Sequence, residues 1–498
     1  MFHYTNSISS NNIDTYIYIS CSDFDKNIKL LEKKFKFKFP KKLYSYFQGD
    51  KNKFTKFFLK DKIFIIGKIN EKKCSFADIE KILKDIYSII KDDDKMINIQ
   101  FFLIPIEEFI RQQVLRTIYY LYSFDKHKTK KTAPKKSIYF CAVKKLKSKI
   151  LNSIEEAYII NDMRDMVNEP GNVMTSDAFI DFVKRTKKSL KIQIIKKSQL
   201  KKEKLNLILA VNQGSENDPY LLIVKWLPLK NKKPIAFVGK GVTFDTGGIN
   251  LKQYDFVDMK TDMTGASVVY ALLRLCMLNK TKKNVIGLIP LVENMVGSKA
   301  SRPGDIIKSY SGKTVEITDT DAEGRLIMAD ALAYSKKFNP CCLIDVATLT
   351  GQAGSIFNDM AIVIMGNHDK LLKTYEDIGE KTNEKIWQLP LWSDYNKLLD
   401  SSVADVKNAS NASPGAILGG IFLSHFIPKK TNWMHVDIGG VSFDGSANID
   451  LSEVVQDTVG AMFSSNSESG IAVTYEDSDG TIDLAVSGTA SSVISDFN

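Results

Sequence analysis

The chain has 498 residues, of which 44% are apolar, so it is too long for one ordinary core and rich enough to bury at least two. Its formal charge of +11 comes from lysines spread over many segments, residues 33–38 and 126–136 among them, which predicts a solvated lysine-rich surface rather than a nucleic-acid footprint. The first seven residues lack a basic stretch followed by an apolar one, and no later run reads as long enough to span a bilayer; this argues against a membrane and for a cytoplasmic protein.

Residues 1–145 hold short apolar runs at 16–19, 63–66, 97–106 and 137–143, separated by amphipathic stretches at 77–90 and 107–122. That pattern predicts a small α/β domain. The segment 146–176 follows as a connector, with a helix over 152–167 stopped by the turn-forming Asn168-Glu-Pro-Gly-Asn172. From 177 to 446, strands are predicted at 191–195, 205–211, 220–226, 235–238, 284–290, 314–318 and 341–346, and helices at 265–278 and 322–338. Such alternation predicts a larger α/β domain built on a mixed, mostly parallel sheet flanked by helices. The six cysteines show no C-x-x-C spacing, and Cys341-Cys342 opens an apolar run suited to buried free thiols. The tail, 447–498, differs in composition: no lysine or arginine follows Lys430, and 470–486 alternates as two strands around an Asp-Gly turn.

Two stretches concentrate chemistry, Val238-Gly-Lys-Gly-Val-Thr-Phe-Asp-Thr-Gly-Gly248 and Thr320-Asp-Ala-Glu-Gly-Arg325. Both gather cations and carboxylates on turns after apolar runs, where α/β proteins build sites. Taken singly, an aspartate after a strand is more often a cap or turn residue, and a lone cation is more often solvated. Gly239-Lys-Gly241 lacks the G-x-x-x-x-G-K-[ST] spacing of a phosphate loop, and the five histidines form no H-E-x-x-H. Together, however, the two stretches resemble the motifs of the leucyl (cytosol) aminopeptidase family of two-metal exopeptidases. The resemblance continues in order through Asn168-Glu-Pro-Gly-Asn172, Met259-Lys-Thr-Asp-Met263, Arg302-Pro-Gly-Asp305, Asp345-Val-Ala-Thr-Leu-Thr-Gly351 and Trp433-Met-His-Val-Asp-Ile-Gly-Gly440. It runs from about Glu155 to Gly440; the tail departs from it and, over the predicted hairpin, is similar to short phage tail-fibre repeats.

The resemblance implies a metal-dependent aminopeptidase acting on peptides with leucine-like N-terminal residues, with two divalent ions, Mn²⁺ or Zn²⁺, and a homohexameric assembly. It implies that Lys240, Asp245, Asp262 and Glu323 hold one ion and Asp245, Asp321 and Glu323 the other. Lys240 would ligate as a neutral amine, which burial on a glycine-flanked turn would favour. Lys252 is implied as the stabiliser of the tetrahedral oxyanion, and Arg325 as the anchor of a bicarbonate general base. Leu349 would offer its carbonyl to the substrate, with Met259, Thr348, Gly351, Gly439 and Ser442 bordering the side-chain pocket. Asp437 and His435 are read as structural hydrogen-bonders near that pocket. Asp319 stands where the family usually has asparagine, placing a further carboxylate near Asp321 and Arg325. From other classes, the alternatives are a non-catalytic or DNA-binding regulatory member of the same fold, and an assembly role for the tail.

Overall fold

The computed structural model describes residues 2–5, 13–20, 28–29, 31–33, 38–39, 41–47, 53–59, 62–68, 76–92, 98–102, 110–130, 136–142, 144–254, 256–382, 384–410, 414–442, 471–476 and 481–486. The chain divides into two compact units, Met1–Asn161 and Asp162–Asn498, the boundary falling inside the helix Lys147–Asn168. In the first unit, β1 (Phe2–Thr5), β2 (Thr15–Ser20), β3 (Lys53–Leu59), β4 (Lys62–Lys68), β5 (Asn98–Phe102) and β6 (Ser137–Cys141) form one sheet in the order β1-β6-β5-β2-β4-β3. Every pairing is parallel except β3 with β4. The inner residues of β4, Ile-Phe-Ile-Ile-Gly, are all buried, as expected of a strand covered on both faces.

The second unit is built on β7 (Lys191–Lys196), β8 (Tyr220–Trp226), β9 (Ile235–Gly239), β10 (Gly241–Asp245), β11 (Val285–Asn294), β12 (Ile306–Lys308), β13 (Thr314–Glu316), β14 (Cys342–Ala347), β15 (Ile362–Gly366), β16 (Ile386–Gln388), β17 (Val406–Lys407) and β18 (Asn432–Asp437). Its main sheet runs β16-β15-β18-β14-β9-β11-β8-β7, with β10 paired to the far half of β11. Five pairings are parallel and three antiparallel, the mixed, mostly parallel sheet that the alternation predicted. All ten residues of β11 are buried, because helices cover both faces of the sheet centre. β12, β13 and β17 make a small separate sheet. In the tail, β19 (Ile471–Glu476) and β20 (Thr481–Val486) pair antiparallel, as the alternation predicted; the turn between them and residues 443–470 lie outside the described residues.

Two readings are corrected. Residues 205–211 were expected to be a strand, but Asn206–Val211 is a helix. An apolar run this short has no decisive period, and its first N–H groups are capped by Asp330, 123 residues further along the chain. No run was expected to be long enough to span a bilayer, yet Phe256–Leu278 meets that test by length and hydropathy. Its apolar window is 89% buried inside the unit, so its composition reflects a place in the core.

That helical segment also shows why glycines fix the sheet centre. A Cβ on Gly265 would lie 2.2 Å from the Val346 carbonyl oxygen on β14, and one on Gly239 would lie 2.4 Å from the Gly265 carbonyl oxygen. Backbone meets backbone at both places, so no side chain can move aside. Gly265→Ala is therefore expected to destabilise this unit by about 3 kcal/mol or more, read as a lowered urea midpoint. An unchanged midpoint would show that helix and sheet can separate without loss.

Candidate active site

The site begins where β9 breaks into β10. β11 is long enough to pair with both, and the chain steps between them at Lys240. Backbone bonds fix the step: the Lys240 N–H donates to the Val346 carbonyl at 3.1 Å, and the Ala266 N–H donates to the Lys240 carbonyl at 2.8 Å. The buried Lys240 side chain is thereby aimed at Asp262 (Nζ to Oδ1, 2.7 Å), Glu323 (Nζ to Oε1, 3.0 Å) and the Thr348 carbonyl (2.7 Å). Gly324 makes room for it, since a Cβ there would lie 2.5 Å from Lys240 Cε.

β10 ends at Asp245, and the turn that follows needs glycine, with φ of +87° at Gly247 and +65° at Gly248. Asp245 Oδ1 accepts from the Gly247 N–H at 2.9 Å and from Asn294 Nδ2 at 2.7 Å; Asn294 is its register partner on β11. The same turn returns Lys252, whose Nζ bonds Asp245 Oδ2 at 2.7 Å and also Asp321 Oδ1. Asp321 lies on the turn before the buried helix Glu323–Tyr334, and Glu323 opens that helix, where the positive end of the helix dipole favours a carboxylate. Among the described residues, Asp245, Asp321 and Glu323 offer three carboxylate oxygens all within 4.8 Å of one another.

Four carboxylates thus face two ammonium groups in a buried setting, and their proton affinities shift accordingly. Burial, joined by the charges of Asp245 and Glu323, pushes the Asp321 carboxyl up to about 7. Burial likewise holds Asp262 well above, and Asp245 above, the usual carboxylate range. At Glu323 burial acts the same way, but Lys240 and Lys252 outweigh it and the carboxyl is lowered. At Lys240 burial works against the ammonium, yet Asp262, Glu323 and Asp245 overcome it and raise the amine above its ordinary value. In the metal-free protein the neighbouring carboxylates thus outweigh burial and keep this lysine an ammonium. A cation sharing those carboxylates would tip the balance the other way.

Arg325 follows on the same helix, buried, with Nη1 donating to the Asn408 carbonyl at 2.8 Å. Asn408 is fully buried and also braces the preceding turn: its Oδ1 accepts from the N–H groups of Thr318 (2.8 Å) and Asp319 (3.2 Å), and its Nδ2 donates to the Asp319 carbonyl at 2.6 Å. Asp319 Oδ1 accepts from the Asp321 N–H at 2.9 Å, a turn-closing bond that an asparagine oxygen makes equally well. Thr348 and Leu349 leave the end of β14; the Thr348 hydroxyl donates to Asp262 Oδ1 at 2.8 Å, and the Leu349 N–H donates to Asp437 Oδ1 at 3.2 Å. Gly439 joins this turn, because a Cβ there would lie 2.4 Å from the Thr350 carbonyl oxygen. Gly351 is exposed at the start of the helix Gly351–Phe357, Met259 is half-buried on the short helix Phe256–Thr261 just before Asp262, and Ser442 is buried with its N–H on the Ile438 carbonyl.

The strand ends of this mixed sheet bring lysines and carboxylates together, and the match to a peptidase catalytic domain gives them their class, a peptide-bond hydrolase. The chain belongs to the cytosol aminopeptidase family: residues 161–464 match the family's catalytic domain, which carries the likeness 24 residues beyond the Gly440 where the motifs stop. It is 43% identical over 294 residues to a probable cytosol aminopeptidase of Phytoplasma mali, covering 58% of this chain and 59% of that one. To a probable cytosol aminopeptidase of Agrobacterium fabrum it is 43% identical over 335 residues, covering 64% of this chain and 67% of that one. Among solved structures, the bottromycin maturation enzyme BotP in complex with Mn shares the fold, with a TM-score of 0.76 and 23% identity over 91% of this chain and all of that one.

Proposed function

We propose that the chain is a metal-dependent aminopeptidase of the cytoplasm that removes leucine-like, apolar N-terminal residues from peptides. The observation that carries this reading is the carboxylate group Asp245, Asp321 and Glu323, together with two buried oxygens, Asp262 Oδ2 and Glu323 Oε2, that have no hydrogen-bond partner among the described residues. A buried acceptor without a donor costs about 1–3 kcal/mol, and cations would relieve both. The donor set fits two divalent ions: Lys240, Asp245, Asp262 and Glu323 would hold one, and Asp245, Asp321 and Glu323 the other. Hard oxygen ligands suit Mn²⁺, with Zn²⁺ as the second candidate, and the Mn carried by BotP supports the former. Bound there, such ions would polarise a peptide carbonyl and lower the pKa of a water.

The protein's own groups supply the rest. Lys252, an ammonium beside Asp245 and Asp321, would donate to the oxygen that gains charge as the carbonyl is attacked. Arg325, buried behind Glu323, would hold the bicarbonate that serves as general base. The Leu349 carbonyl would receive the substrate, while Met259, Thr348, Gly351, Gly439 and Ser442 border its side chain. The family resemblance supports a homohexamer, which light scattering would test.

Leucine anilide hydrolysis by the metal-stripped protein, and after return of Mn²⁺ or Zn²⁺ with and without bicarbonate, tests the reading. Metal-restored turnover that bicarbonate raises is the expected result. A folded chain silent across metals and substrates would sink it in favour of a non-catalytic or DNA-binding member of the fold.

A further inference from the structure

Asp437 is the last residue of β18 and is almost wholly buried. Its carboxylate is fully engaged: Oδ1 accepts from the N–H groups of Leu349 (3.2 Å) and Gly439 (3.0 Å), and Oδ2 accepts from the Thr350 hydroxyl at 2.8 Å. These bonds tie down residues 349 and 350, which leave β14 directly beyond Ala347, the register partner of Asp437. The strand ends are also joined by the Ile438 N–H to the Ala347 carbonyl at 2.9 Å. Between the two tied points lies Thr348. Its carbonyl accepts from Lys240 Nζ at 2.7 Å, and its hydroxyl donates to Asp262 Oδ1 at 2.8 Å.

We propose that Asp437 is a positioning residue that sets the cation-binding geometry at a distance, by clamping the 348–350 turn so that Thr348 orients both Lys240 and Asp262. The bonds form one continuous path, from Asp437 through Leu349 and Thr350 to Thr348 and then to two side chains of the site. The path is stiff. Gly439 brings its backbone against the Thr350 carbonyl, and Gly419 packs close to the side chains of the turn, where a Cβ would lie 3.0 Å from Leu349 Cδ2 and 3.1 Å from Thr350 Cγ2. A turn held so closely transmits the placement of its anchor, and groups that orient metal ligands typically govern affinity by 10–100-fold. An anchor serving the fold alone would change stability and leave the site's affinity for cations untouched.

The affinity readout rests on the two-ion reading above, so the test carries a second readout that does not. Mn²⁺ binding is measured by calorimetry on folded wild type, Asp437→Ala, Thr348→Val and the double variant, and the structure of Asp437→Ala is solved. Expected are about tenfold weaker binding in Asp437→Ala and, in the double variant, a loss smaller than the product of the two single losses, because Thr348→Val removes the hydroxyl bond to Asp262 while keeping the carbonyl bond to Lys240. Losses that multiply in the double variant, or wild-type affinity in Asp437→Ala, would overturn the proposal. Where Asp437→Ala does not fold, Thr350→Val removes the Oδ2 bond, together with the cap that the same hydroxyl gives the Ala353 N–H, and enters the same cycle and the same structure determination. If wild type itself binds no Mn²⁺, the two-ion reading fails, and the variant structure decides: a Thr348 carbonyl still bonded to Lys240 overturns the clamp, and a displaced one upholds it.

Discussion

Glu323→Gln is expected to fold as the parent chain does and to lose about a thousandfold or more in kcat/KM, equivalent to about 4 kcal/mol of transition-state stabilisation. Glu323 is the one carboxylate that both touches Lys240 and belongs to the group with Asp245 and Asp321. It therefore sits in both proposed ligand sets. Glutamine keeps the side-chain volume and an oxygen that can still accept from Lys240, but removes the charge that both lysines and the helix N-terminus favour. It also places an amide where Glu323 Oε2 is buried without a donor among the described residues. Initial rates on leucine anilide at saturating Mn²⁺, beside thermal unfolding by circular dichroism, separate chemistry from folding. A folded variant within tenfold of wild type at saturating metal would remove Glu323 from the ligand set.

The site was legible in the sequence wherever its geometry is local. Lys240, Asp245 and Lys252 lie on one strand break and its turn, and Asp321, Glu323 and Arg325 on one turn and helix start, so a glycine-punctuated motif reports them directly. The residues that hold these in place are not local. Asn294 reaches Asp245 across 49 residues and Asn408 reaches the Arg325 guanidinium across 83, and an isolated asparagine in a run such as Lys407-Asn-Ala409 carries no sign of it. Asp437 and His435 were read as structural hydrogen-bonders near the pocket; His435 does bond a buried Asp345 at 2.5 Å, while the bonds of Asp437 extend toward the site. The metal-free charge balance at Lys240 is non-local for a related reason. Burial is visible in a motif, but the three carboxylates that outweigh it arrive from three different elements. In the fold, period and composition placed the central strands well, because β9, β11 and β14 are buried runs bounded by turns. They misjudged Asn206–Val211, whose helical end depends on a cap supplied from elsewhere.

That cap is the basis of the second large effect. Asp330 is fully buried on the helix Glu323–Tyr334, and its carboxylate accepts from three backbone N–H groups: Leu207 at 2.8 Å, Ile208 at 3.3 Å and Tyr310 at 2.7 Å. Asp330→Ala would strand all three donors, at an expected cost on the order of 3 kcal/mol or more in unfolding free energy. Burial pushes the Asp330 carboxyl up to about 7, although the three N–H donors pull the other way. The folded chain therefore keeps a proton that the unfolded chain, with an ordinary value of 3.8, has released. The stability tied to that proton is complete below the unfolded value and is lost as pH rises through about 7. Asp330→Asn keeps one acceptor oxygen and cannot titrate, so its urea unfolding free energy should fall less between pH 5 and pH 8 than that of wild type, by on the order of 2 kcal/mol. Asp321 titrates over the same range in both chains, so only the difference between them isolates Asp330. Parallel pH profiles would show that the three N–H groups keep this carboxylate ionised throughout, leaving Asp330 a cap whose worth does not change with pH.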